Sequence, residues 1–296
     1  MDVVFAILQN VLAEGLTYGV MALGVYITYK ILDFPDLSVD GTFPLGCCVT
    51  AVLLLAGMPP ALVLLCSFAI GCLAGSVTGL LHVKLGISDL LSGIIVMTAL
   101  WTVNLVVTGG SAVVTFFQLT TIFPLTLPYA ALGLLLAIVL ALKLALDFFF
   151  RTRAGLLLKS TGDNAGFVTG LGRDPGKMKI LGLALGNGFT ALSGSLLSQQ
   201  TGTANVSSGT GMVVMALAAV IIGSSLFGRL SCVRPTTAVL LGMVIYRGCL
   251  AFALQLEIFP PNYLKLLMSV IFTAALVLSK QRERARKEVY PNASKL

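Results

Sequence analysis

Residues 149–179 read FFRTRAGLLLKSTGDNAGFVTGLGRDPGKMK and form a polar, cationic interval between long apolar runs. They carry Arg151, Arg153, Lys159, Arg173, Lys177 and Lys179 against only Asp163 and Asp174. Loops rich in Lys and Arg stay on the cytoplasmic side of a membrane. The interval is therefore expected in the cytoplasm, with membrane spans on either side of it.

Inside the interval, Ser160-Thr161-Gly162-Asp163 offers the hydroxyl and carboxylate acceptors that start helices, and Gly170 and Gly172 offer a stop. The spacing predicts a helix of about two turns over residues 163–171. A helix that short does not persist alone in water, so something must hold it. Phe167 and Leu171 lie four apart on one face with Asn164 one turn earlier, which makes an apolar knob flanked by polar groups. Asp174-Pro175 reads as an N-cap followed by proline at the first helical position, so the next helix begins there and runs back into the membrane.

The 296 residues are 57% hydrophobic and 10% charged, with mean hydropathy +0.99, whereas soluble domains are about 25% charged. The fold class is an all-α polytopic membrane protein, one domain over 1–296. A net charge of +7 would suggest nucleic acid in a soluble protein. Here the cations sit between apolar runs and in the tail 280–296, as orientation signals and lipid-facing segments do, so nucleic acid is excluded as a partner. The six cysteines show no CxxC pair and read as small buried hydrophobes. His82 is the only histidine, so no metal site is expected. The start Met1-Asp2 lacks the cationic region of a cleaved secretory signal.

About 20 apolar residues cross a bilayer, which gives eight or nine spans. They fall at about 3–29, 34–57, 60–82, 88–108 and 128–148, then at about 178–199, 212–227, 235–256 and 262–279. The second is expected to be broken, because Pro35, Gly41, Pro44 and Gly46 interrupt it. With 149–179 inside, alternation places Lys30, Lys84, Arg229, Arg234 and the C-terminal tail in the cytoplasm and the N-terminus outside.

The run DFPDLSVDGTFP contains Asp33, Asp36 and Asp40. A carboxylate at the bilayer centre costs about 2.5 to 3.5 kcal/mol, so at depth these need water, a partner or a solute. Asp36, Ser38 and Asp40 are candidate substrate-path residues. The alternative places the acids at the cytoplasmic interface, Asp33 above all. Asp89 and Ser92 open the fourth span and join the candidate path. A second break is expected at Gly223-Ser224-Ser225-Leu226-Phe227-Gly228, which adds Ser224 and Ser225. Arg247 lies about twelve residues into the eighth span, too deep to snorkel, and is expected to pair with Asp36, Asp40 or Asp89. Glu14 reads as outward-lying and structural.

No paired nucleophile and base is present, so no catalytic residue is assigned. Gly172-Arg173-Asp174-Pro175-Gly176-Lys177-Met178 imitates a phosphate loop, but it has one residue too few between its glycines and methionine where a magnesium-binding Ser or Thr must stand. ATP chemistry is expected in another chain, with no cofactor in this one.

Several stretches together resemble the bacterial ABC importer permeases for branched-chain amino acids, ribose and related solutes. Asn164-Ala165-Gly166-x-x-x-Gly170 is similar to their Glu-Ala-Ala-x-x-x-Gly coupling loop, without the glutamate and the second alanine. Leu85 to Gly93, running on to Thr108-Gly109-Gly110, resembles their fourth-span region. Ala216 to Gly228 resembles a late alanine-rich stretch, with Ser224 where a second glycine is usual. The run DFPDLSVDGTFPLG is similar to a subgroup for amino acids, aromatic ones among them. The resemblance implies a permease subunit in the bacterial cytoplasmic membrane, moving a small solute, an aromatic or branched-chain amino acid. It implies a second permease as homodimer or pseudo-dimer, two ATP-binding-cassette subunits that hold ATP and Mg, an external solute-binding lipoprotein and surrounding lipid. Asp163, Asn164, Phe167, Gly170 and Leu171 would meet the ATPase. The competing reading is a proton-coupled secondary transporter using Asp36, Asp40 and Asp89.

Overall fold

A computed structural model describes residues 2–123, 128–228, 233–255 and 266–277. The tail 280–296, Arg229 and Cys232 lie outside the described residues. Helix α1 spans Asp2–Val25 and continues as a π-helical stretch, Tyr26–Ile31. Then come α2 (Val39–Leu55), α3 (Pro60–Leu85), α4 (Asp89–Val107), strand β1 (Val113–Thr115) and α5 (Pro128–Phe149). The polar interval holds α6 (Arg153–Asp163) and α7 (Ala165–Gly170), and α8 (Pro175–Thr201) returns into the apolar layer. After β2 (Thr203–Asn205) and a 3-10 turn (Val206–Gly209) come α9 (Met212–Phe227) and α10 (Pro235–Gln255). The last described helix is α11 (Leu266–Val277).

Among the described residues, seven helices are long and apolar enough to cross a membrane, and α2 and α11 are shorter apolar helices. The nine expected apolar segments fall on α1 to α5 and α8 to α11. Large apolar side chains stand exposed along the outer helices, Leu65 and Leu73 on α3, Val106 on α4 and Phe148 on α5 among them. An exposed apolar surface of that extent suits a chain that spans a membrane.

Helix α8 is the axis of the molecule, with α1, α2 and α3 packed around it. Its 27 residues reach about 40 Å. Small residues let these backbones approach closely. A Cβ on Gly75 of α3 would strike the Leu183 carbonyl oxygen of α8, and one on Gly194 of α8 would strike that of Phe43 on α2.

Positive charge gathers at one end. There Lys179 Nζ lies 3.1 Å from His82 Nε2, which joins the start of α8 to the end of α3. Arg234, before α10, reaches Asp147 near the end of α5 at 3.0 Å. The opposite end carries the two-stranded antiparallel sheet, Val113 opposite Asn205 and Thr115 opposite Thr203.

The broken second span takes a different form from the expected one. Helix α2 runs through Gly41, Pro44 and Gly46, and the non-helical stretch lies before it, from Leu32 to Ser38. Pro44 lacks the N–H that would bond the Asp40 carbonyl, and Gly209 closes over that carbonyl with no room for a Cβ. The segment after α8 thus folds back from the sheet end to reach the first turn of α2.

Two further expectations are corrected. Residues 223–228 are no break, because α9 stays helical to Phe227 and Gly223 is a packing position against Ala238 of α10. Ser160-Thr161-Gly162-Asp163 does not open a helix but closes α6. Thr152 caps α6 by accepting from Gly155 N at 3.3 Å, and the Thr161 hydroxyl donates back to Leu157 O at 2.7 Å, as a threonine inside a helix does. The short helix is α7, capped by Asn164, whose Oδ1 accepts from Phe167 N at 3.1 Å. Asp174 caps α8 as expected, accepting from Gly176 N at 2.8 Å.

Candidate functional site

Two irregular segments, one before α2 and one before α9, enter the helical layer and meet. Each brings a helix N-terminus with unpaired N–H groups to depth, where something must accept from them. At the first, Asp36 Oδ1 accepts from Ser38 N at 2.8 Å. At the second, Asp40 Oδ2 accepts from Gly211 N at 3.0 Å and Oδ1 from Val213 N at 2.8 Å. Negative charge at a helix N-terminus also opposes the positive end of the helix dipole.

Asp36 is 4% exposed, buried within the protein. Its Oδ2 accepts from Asn187 Nδ2 at 2.7 Å. The same nitrogen donates to Leu183 O at 3.1 Å. Asn187 Oδ1 accepts from the hydroxyls of Ser38 at 3.1 Å and Thr42 at 2.7 Å. The amide has two donors and two acceptor positions, and all are used. Asn187 stands about 18 Å along α8 from its start, near the middle of that helix, so this node fixes α2 to α8 well inside the layer.

Between the first turn of α2, the sheet-end half of α4 and the 3-10 turn lies a cavity of about 220 Å³ lined by Asp40, Gly41, Pro44, Met97, Thr98, Trp101, Asn104, Val206 and Thr210. Asn104 is fully buried. Its Nδ2 donates to Gly41 O at 3.1 Å, while its Oδ1 has no partner among the described residues.

The other candidates lie elsewhere. Asp89, with a half-exposed side chain, sits 3.7 Å from His82 Nδ1, and the buried Ser92 donates to Asp89 O at 2.8 Å. Ser224 is exposed near the end of α9, its hydroxyl bonded back to Val220 O, and Ser225 beside it is half-buried. Arg247 does not pair with Asp36, Asp40 or Asp89. Its Nη2 lies 3.3 Å from Glu14 Oε2 of α1, and its guanidinium lies 4.1 Å from the centre of the Tyr18 ring. Asp36 and Asp40 are engaged by backbone N–H groups, and Glu14 is the acid that α1 brings alongside α10.

At the basic end, Phe167 is 57% and Leu171 55% exposed on and beside α7, while Val168 between them is fully buried. Asp163, Asn164 and Gly170 lie around them at the surface. This is the apolar knob expected from the sequence.

Sequence reasoning missed Asn187, Asn104 and the cluster at Asp147. Asp147 meets Lys143 at 2.9 Å and Arg234 at 3.0 Å, and accepts from the Thr236 hydroxyl at 2.6 Å. Lys143 and Asp147 at i and i+4 within an apolar helix were a legible signal. Asn187 gave a weaker one, an amide flanked by glycines in the middle of a span.

The sequence profile of the family described as "Branched-chain amino acid transport system / permease component" matches residues 7–276. The chain is 41% identical over 267 residues to the tyrosine transport system permease protein of Clostridioides difficile, covering 90% of this chain and 89% of that one. It is 30% identical over 285 residues to an uncharacterized protein of Rickettsia prowazekii, covering 94% and 99%. It is 24% identical over 277 residues to the ribose import permease protein of Haemophilus influenzae, covering 90% and 83%. No solved structure matches it significantly.

Proposed function

We propose, from the premise that the chain belongs to the branched-chain amino acid transport system permease family, that it is the membrane-spanning subunit of an ATP-driven importer for an amino acid, tyrosine or another aromatic one. The name of the relative at 41% identity supports the solute class. The family supports an assembly of two permease copies, two ATP-binding-cassette subunits and an extracytoplasmic solute-binding lipoprotein. In this reading ATP and Mg belong to the partner, and this chain is a transport subunit rather than an enzyme. The basic end faces the cytoplasm of a bacterium and the N-terminus faces out, by the charge rule.

The observation that carries the coupling is the exposed pair Phe167 and Leu171 on a helix too short to stand alone. An apolar cleft on the ATPase covers that pair, and the motion of the ATPase reaches α6 and α8 through the segments that flank α7. Asp36 and Asp40 already hold backbone N–H groups, which weakens the competing reading of them as free proton carriers.

The experiment is Phe167→Asp in a strain expressing the permease with its ATPase. A carboxylate carried into an apolar cleft is strongly disfavoured, so recovery of the ATPase with the permease should fall at least about tenfold, the effect of 1.4 kcal/mol. Insertion and thermal stability of the permease itself should stay unchanged. Unaltered recovery together with unaltered transport would defeat the proposal.

A further inference from the structure

At the basic end, where α5 gives way to α6, lies a cavity of about 190 Å³ whose wall includes Asp147, Phe150, Arg151, Lys159, Arg234 and Thr236. Its one acid is already spent. Asp147 Oδ2 meets Lys143 Nζ at 2.9 Å and Arg234 Nη1 at 3.0 Å, and Oδ1 accepts from the Thr236 hydroxyl at 2.6 Å. Lys143, itself buried, balances the carboxylate charge. Arg234 gives one nitrogen to that bond and keeps its other N–H groups free among the described residues. Arg151 and Lys159 are exposed, and neither has a carboxylate partner among the described residues. Lys159 Nζ rests over the Phe150 ring, 4.9 Å from its centre. Helix α10 starts at Pro235, also in the wall, so the positive end of its dipole adds to the same field. The uncompensated charge on the wall is all positive, which suits an oxyanion.

The surface leading away from the cavity says which oxyanion. Leu136, Leu140, Leu144 and Phe148 follow one another at every fourth residue as a ridge along α5, and each is at least 50% exposed. The ridge ends beside the cavity, since the Arg151 N–H donates to the Phe148 carbonyl at 2.9 Å. From Leu136 to Phe148 it is about 18 Å long. One leaflet of a hydrocarbon core is about 15 Å deep, half of the whole. An acyl chain starting at Arg151 would have the ridge beside it for that full depth. Free phosphate would use the cations and leave the ridge bare. Among the candidate spans, α5 is the least covered by the rest of the chain, at 17% of its apolar window.

We propose that this cavity holds the phosphate of an anionic phospholipid, with Arg151, Lys159 and Arg234 as donors and an acyl chain along the α5 ridge. The guanidinium fork of Arg151 matches two phosphate oxygens at once, and Lys159 supplies a point charge. Asp147 is a positioning residue that holds Arg234 in place. A zwitterionic headgroup carries the same phosphate but brings its own cation, which this wall repels. The three donors come from the turn after α5, from α6 and from the residue before α10, so a bound lipid ties those elements together. The proposal rests on the membrane-spanning fold and stands apart from the importer reading.

The test is native mass spectrometry of the full-length permease in neutral detergent. It is titrated with phosphatidylglycerol, with phosphatidylcholine of the same chains, and with glycerol 3-phosphate as a headgroup without chains. One phosphatidylglycerol should be retained at concentrations where the other two are not. Arg151→Gln with Lys159→Gln should weaken that retention by about twentyfold, from roughly fivefold per cation lost. Both positions are exposed, so the lipid-free protein should still melt near wild type. Arg173→Gln with Lys177→Gln removes the same charge from exposed positions in the same polar interval but outside the cavity, and should leave retention unchanged. Equal losses from the two double variants would reduce the effect to net charge and overturn the proposal. So would equal retention of phosphatidylcholine, or glycerol 3-phosphate binding as tightly as the lipid. Absence of any retained phosphatidylglycerol overturns it as well, and a Leu140→Cys disulfide between two copies would then mark the ridge as a subunit contact.

Discussion

The carboxylate of Asp40, in the first turn of α2, accepts at 2.8 Å from the backbone N–H of Val213, in the first turn of α9. A residue of one broken span thereby caps a helix, bonding to a position 173 residues later. The bond joins the two irregular segments where they meet and sets the register of α9 against α2. Replacing an N-cap carboxylate by alanine costs about 0.5 to 2 kcal/mol. Asp40→Ala should lower the melting temperature of the purified permease, and Asp40→Asn, which keeps an acceptor, should lose less. Equal melting of all three proteins would show that the cap is idle.

Asn187 should be the least tolerant of the node residues. Asn187→Leu removes the donor to Asp36 and the acceptor for Ser38 and Thr42 together. Each buried polar group left without a partner costs about 1 to 3 kcal/mol, so the protein should fail to accumulate or melt well below wild type. Adding Asp36→Asn should recover part of the loss by removing the stranded charge. Wild-type stability of the Asn187→Leu protein would refute the node.

Much of the fold was legible and the node was not, for a physical reason. Apolar length alone locates a span, and each expected segment fell on a helix. Proline and glycine signalled a break near residue 40, but not its side. Pro44 is accommodated inside α2 because the Asp40 carbonyl it leaves free is covered by Gly209 of a distant segment. Helices buried on most sides show little amphipathic pattern, so no periodicity reveals that Asn187 faces Asp36 or that Arg247 faces Glu14. The exposed Phe167 and Leu171 were readable because i and i+4 spacing within one short helix needs no tertiary partner to define a face.

The pairing of Arg247 should show in a double-mutant cycle with Glu14. Contacting charges couple by about 0.5 to 3 kcal/mol, and the half-exposed Glu14 side chain puts the pair at the low end. Glu14→Gln and Arg247→Met should therefore be less than additive in thermal stability. The pair Asp40→Asn and Arg247→Met should add, and the opposite pattern would restore the pairing read from the sequence.

Asp147 holds Lys143 and Arg234 at once, with Lys143 itself nearly buried. Breaking a buried pair from one side costs about 3 to 5 kcal/mol, reduced here because Arg234 is half-exposed and reaches water. Asp147→Leu should destabilise strongly, and adding Lys143→Met should restore a large part of the loss. Unchanged stability of the single variant would make the cluster an incidental surface contact.

We propose that this chain moves an amino acid only when an ATPase drives it. The direct measurement is uptake of radiolabelled L-tyrosine into proteoliposomes containing the permease, its ATPase and its solute-binding protein, with ATP and Mg on the ATPase side. Uptake should run against a gradient, require ATP hydrolysis, survive a proton uncoupler and be lost with Phe167→Asp. Uptake by the permease alone, driven by a pH gradient and indifferent to ATP, would contradict it.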